Sequence, residues 1–175
     1  MSQQQPEPWL RGTLADRPPA QRAVLHALQL AGEDIARWCA PLSTAQMHAR
    51  PLQLPSVAFH MVHIAGSLDR LLTYAEGQPL NETQRRALDA EHAGTGTSDA
   101  LLAAFNRGLE TAAARILAIP MADWEQPRSV GRDRLPTTVA GLLIHCADHT
   151  QRHVGQAVTT AKVVQALAAG APGIA

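Results

Sequence analysis

Three of the chain's eight histidines stand four residues apart, at His145, His149 and His153 in the stretch "HCADHTQRHVGQ". Converging neutral imidazoles are what a transition-metal ion takes as ligands, and histidines at i and i+4 of one helix can reach the same ion. At about 100° per residue, His145 and His153 fall about 40° to either side of His149, so the three share one stripe. Val139, Leu142, Ala157, Thr160, Val163, Val164 and Leu167 extend that stripe, which predicts that it faces a core. A buried polar group without a partner costs about 1 to 3 kcal/mol. Neighbouring hydroxyls and carbonyls can satisfy such histidines, or an ion can, and three in register favour the ion.

Two ligands from one helix leave a metal site incomplete, and His60 and His63 offer the next candidates. Around His63 the residues Phe59, Ser67, Arg70 and Tyr74 fall within about 40°, a stripe of mixed polarity. Met61, Leu68 and Leu72 oppose it, and His60 lies about 60° away, nearer the edge of the stripe, where it is either a near-site candidate or an ordinary boundary residue. One histidine from this segment and two from the later one leave coordination positions open, as a catalytic ion requires. Asp148, Asp69, Arg70 and Tyr74 are candidates for orienting ligands or substrate. His26, His48 and His92 lack comparable companions and read as surface or core residues. Cys146 reads as a small buried residue rather than a soft ligand or nucleophile, and Cys39 as core. There is no HExxH motif of a zinc protease and no ExxH pair of a di-iron bundle.

These residues need long helices to position them. Apolar residues recur with helical period, and four segments emerge: about Pro19 to Cys39, Ser56 to Glu76, Ser98 to Leu117, and Thr137 to Ala168. Proline at a first turn, Ser or Thr at the starts, and Gly or Pro past the ends delimit them. The prediction is an all-α four-helix bundle forming one domain over residues 1–175, with loose tails at about 1–8 and 169–175. Long polar connections join the second helix to the third and the third to the fourth. The fourth helix carries a second apolar stripe, Leu143, Ile144, Ala147, Val154 and Val158, and on the second helix Val57, Met61, Leu68 and Leu72 oppose His63. Faces of that kind predict an intersubunit surface.

Fifteen basic residues, fourteen of them Arg, balance fifteen acidic ones, so no overall field draws the chain to nucleic acid or to an anionic membrane. No window reaches the roughly eighteen apolar residues that span a bilayer. Two cysteines and no export-type leader point to a cytoplasmic protein.

The segments "FHMVHIAGSLDRLLTYAEG" and "LPTTVAGLLIHCADHTQRHVGQ" resemble those of the DinB/YfiT-like superfamily of metal-binding four-helix bundles, and the resemblance extends over nearly the whole chain. It rests on H-x-x-x-H followed by G-Q in the last long helix, with H-I-A on the second. It implies His63, His149 and His153 as the metal ligands, with His145 beside the site. It also implies an up-down-down-up order of helices, a homodimer, and a divalent ion, zinc or nickel. Some members are transferases or isomerases that use low-molecular-weight thiols such as bacillithiol or mycothiol. Arg152 departs from the His-His often found beside the last ligand, and it places a cation there that can either select an anionic substrate or simply point to solvent. The function expected is therefore a metal-dependent enzyme, a thiol-dependent transferase or a hydrolase acting on a small molecule. The alternative is a noncatalytic metal-binding protein of the stress response.

Overall fold

The computed structural model describes residues 5–93 and 95–170. Residues 1–4 and 171–175 of the expected tails, and Gly94 of the connection before the third long helix, lie outside that range. The long helices are α1 (Pro19–Trp38), α3 (Val57–Ala75), α5 (Ser98–Ala118) and α6 (Val139–Ala168), within about two residues of their predicted bounds. Side chains set three of their starts. Ser56, Thr97 and Thr138 accept hydrogen bonds from the backbone N–H of Phe59, Ala100 and Gly141, groups that have no partner within the helix.

The connections hold more structure than their polarity suggests. Two short helices, α2 (Thr44–His48) and α4 (Glu82–Ala90), each begin with a reciprocal capping box, Ser43 with Gln46 and Asn81 with Gln84. Before α6 the chain turns back as an antiparallel hairpin, β1 (Pro127–Val130) on β2 (Leu135–Thr138), so the fold is predominantly rather than wholly helical. The N-terminal segment is also less loose than expected: Pro8 is buried, and Arg11 makes a two-pronged ion pair with Glu33.

Each long helix packs on two others, α6 on α1 and α3, and α5 on the same pair. Gln21 on α1 donates to the Ile116 carbonyl of α5, and Gly32 lies against Leu109. Between α3 and α5, Ala65 sits by Gly108 and Asp69 by Arg115. Between α1 and α6, the Ala27 carbonyl accepts from Gln151, and Lys162 lies over the Trp38 ring. Phe105, Ile35, Met61, Ile64, Leu68, Leu72 and Leu143 fill the space between them.

Packing on two neighbours changes which face of α6 is interior. Its buried residues, from Val139 through Leu142, Cys146, Thr150, Val154 and Ala157 to Val164, span an arc centred roughly 90° from His149. The histidine stripe therefore borders the core instead of facing it, and His145 falls beyond the edge into solvent, paired with Asp148. The proposed outward stripe is corrected by the same arc. Leu143 and Val154 belong to the core, and only Ile144 is largely exposed, at 54%. On α3, Val57, Met61, Leu68 and Leu72 are buried within the chain itself. No helix among the described residues is long and apolar enough to cross a membrane.

Candidate metal centre

The first half of α3 and the middle of α6 face each other across four imidazoles. His63 Nε2 lies 3.3 Å from His149 Nε2, and His60 Nδ1 lies 3.1 Å from His153 Nδ1. One nitrogen each from His63, His149 and His153 falls within a sphere of mutual distances no greater than 4.8 Å. Two nitrogens about 2.1 Å from one ion at a tetrahedral angle stand about 3.4 Å apart, so the His63–His149 spacing already matches shared coordination.

The protonation pattern agrees. The His63 Nδ1–H donates to Glu91 Oε2 at 2.7 Å, which leaves Nε2 with a lone pair directed at His149. Burial, and then the neighbouring His153 and His63, push the His149 pKa down to about 4. Burial likewise takes His60 to about 4, and His153 is lowered by burial, His63 and Arg152. At neutral pH these three rings are uncharged, each with one N–H and one lone pair. His63, His149 and His153 can together hold a metal ion.

Glu91, absent from the sequence-based candidates, organises the far side of the site. It arrives on a 3-10 turn (Glu91–Ala93) directly after α4, and α4 is docked on α3 by Gln84, whose amide donates to Asp69 Oδ2 and Thr73 Oγ1, each at 2.8 Å. The carboxylate is 4% exposed and also accepts from Arg70 at 2.5 Å. Burial alone would raise its pKa, yet the hydrogen bonds from His63 and Arg70 hold it below the ordinary carboxylate range. Gly66 makes room for the pair: a Cβ there would come 2.6 Å from Glu91 Oε1 and 2.8 Å from Arg70 Nη1. No local motif announces Glu91, because it meets its partner 28 residues away. Phe59 stacks on His63, and His92 on Phe59, shielding the same flank.

The other candidates separate. His60 is no boundary residue; it is 2% exposed and braces His153. Arg70 reaches the site through Glu91 and Ser67. Tyr74 shares a helical direction with His63 but lies about 16 Å further along the axis, at a separate cleft with Arg128 and Arg134. Asp69 turns to Arg115 and Gln84, and Asp148 turns outward to His145 and Arg152. Arg152 lines a cleft of about 310 Å³ that adjoins His60. Cys39 and Cys146 are fully buried, and burial pushes both thiols up to about 12, which leaves them inert. His26 pairs with Thr13 and His48 with the Gly96 carbonyl, away from the cluster.

Residues 27–157, which include all four clustered histidines and Glu91, match the DinB superfamily. The chain belongs to that superfamily. A conserved protein from Enterococcus faecalis shares the DinB-type fold of this chain at a TM-score of 0.70 and 18% identity, covering 85% of this chain and 99% of its own. No curated protein matches the chain.

Proposed function

We propose that this DinB-superfamily protein holds one divalent transition-metal ion, zinc or nickel, on His63, His149 and His153 and uses it in a reaction on a small molecule. The observation that carries the reading is the set of converging ring nitrogens of His63, His149 and His153, braced at His63 by Glu91 and at His153 by His60. When bound, such an ion supplies Lewis acidity to whatever occupies its open positions. The chain's own residues do the rest. Glu91 fixes the His63 tautomer and ring orientation, Arg70 holds Glu91, and Phe59 with His92 keeps water from that side.

The reaction favoured is thiol-dependent transfer, with hydrolysis as the nearest relative, because three protein ligands leave room for a thiol or water beside a substrate. Supporting an up-down-down-up order, Gln21 meets Ile116 and Gly32 meets Leu109, whereas Ala65 meets Gly108 and Asp69 meets Arg115. Those pairs set α1 against α5 and α3 along α5, and the His63–His149 and His60–His153 contacts return α6 against α3. Self-association through the remaining Ile144 surface is part of the same proposal and is read by sedimentation. Metal analysis of the purified protein, followed by assays of thiol transfer to small electrophiles with the protein loaded and stripped, tests the reading. Loaded-only turnover supports it, and turnover indifferent to the metal overturns it.

A further inference from the structure

Beside the histidine cluster, on the side away from Glu91, lies the 310 Å³ cleft bounded by Leu54, Pro55, His60, Arg152, Gly155 and Thr159. Three features of this cleft go beyond what helix packing requires. First, His60 is 2% exposed, its Nδ1 is engaged by His153, and among the described residues nothing pairs with its buried Nε2. Natural interiors rarely leave such an atom alone. The tautomer follows from the contact. If His153 gives its other nitrogen to an ion, its Nδ1 keeps the proton and donates it to His60 Nδ1. The proton of His60 is then on Nε2, as a donor in want of an acceptor.

Second, Arg152 reaches the same cleft with 59% of its side chain exposed, held among the described residues by Asp148 at 3.3 Å. Third, Gly155 sits in the middle of α6, where glycine costs about 1 kcal/mol relative to alanine. A Cβ at Gly155 would meet nothing within 4 Å, so neither helix packing nor backbone shape asks for glycine. What its missing side chain provides is open space in the cleft. Leu52 and Gln53, which lead into the lining residues Leu54 and Pro55, are two successive non-glycine residues at positive φ, 50° and 63°.

We propose that this cleft receives the carboxylate end of a small-molecule substrate, with His60 Nε2–H and the Arg152 guanidinium as donors and Gly155 providing the space. The proposal rests on the metal reading above and adds a substrate class to it. One guanidinium, partly shared with Asp148, and one neutral imidazole suit a single negative charge, not a phosphate dianion. Leu54 and Pro55 supply an apolar wall for the carbon chain.

The test measures butyrate and butyramide binding by calorimetry to zinc-loaded wild type, Arg152→Gln, Gly155→Leu and Gly155→Ala, with zinc content determined on the same samples. Wild type is expected to prefer butyrate about tenfold, the worth of one charge-assisted hydrogen bond, and Arg152→Gln to lose that preference. Gly155→Leu is expected to abolish binding with zinc content unchanged. Gly155→Ala is expected to weaken binding while its Tm rises by about 2 to 4 °C, a combination that a structural role for the glycine does not produce. Full zinc with no preference for butyrate, or with equal butyrate binding in all four proteins, overturns the carboxylate cleft and leaves the metal reading standing. A wild type that holds no zinc overturns both, since the tautomer of His60 goes with the ion.

Discussion

Two polar clusters share α3, and they are built on opposite plans. Toward the C-terminal end, Arg115 from α5 reaches Asp69 Oδ1 at 2.7 Å, Glu76 Oε1 at 2.7 Å and Thr73 Oγ1 at 3.1 Å, and Gln84 closes the group on Asp69 and Thr73. Every donor there meets an acceptor, and opposite charges face each other. Toward the N-terminal end, His60, His63, His149 and His153 present nitrogens to nitrogens, burial pushes down the pKa values of His60, His149 and His153, and Glu91 is the one carboxylate that meets the set among the described residues. The first cluster is complete with protein atoms alone and serves to fasten α3 to α5. The second gathers ring nitrogens that can hold a metal ion. Partly buried polarity is common to both, so satisfaction of the donors and acceptors, rather than burial, separates a structural network from a ligand site.

The contrast can be broken first at the ligands. His153→Ala is expected to lower zinc affinity by more than about 100-fold, because it removes a ligand together with the group that orients His60; competition with a chromogenic chelator reads it. Next, Glu91→Gln and Gly66→Ala are each expected to cost about 10- to 100-fold in zinc affinity. Glu91→Gln removes the charge that holds the His63 tautomer, and Gly66→Ala pushes a methyl against the same carboxylate; equal affinity in both variants would place Glu91 outside the site. In the other cluster, Arg115→Met is expected to lower unfolding stability by about 1 kcal/mol, since its acidic partners are substantially exposed, and to leave zinc affinity unchanged. Chemical denaturation and the same chelator competition check both halves of that statement.

How far these features could be read beforehand depends on whether their causes are local. The four long helices were legible because proline, capping residues and helical periodicity act within a few residues. The pairing of α3 with α6 through His63, His149 and His153 was also within reach, since both segments carry their spacing on one stripe. Glu91 was not, because the connection that delivers it is anchored by Gln84, a residue that looks like any other polar one on a surface helix. Tyr74 was misplaced by an argument from angle alone, which ignores the rise along the axis. His60 and His145 were exchanged in depth for another reason: the buried arc of a helix is set by how many neighbours it touches, and α3 and α6 each touch two long helices.

A smaller effect concerns pH. His149 and His60 titrate at about 4 in the folded protein against an ordinary 6.5, so between those values the unfolded chain binds more protons. The stability of the metal-free protein is therefore fully present above about 6.5 and is lost progressively as pH falls toward about 4. Thermal unfolding in chelator across that range is expected to show the decline, and His149→Ala to flatten it; a decline confined to lower pH would assign it to carboxylates.

The claim that the histidine cluster is a metal site meets its most direct test in a zinc titration of the stripped protein by calorimetry, wild type beside His149→Ala, with circular dichroism on both. The expected result is one ion per chain for wild type, and at least about 100-fold weaker binding in the variant at unchanged helicity. No binding by the wild type, or equal binding by a fully helical variant, would contradict it.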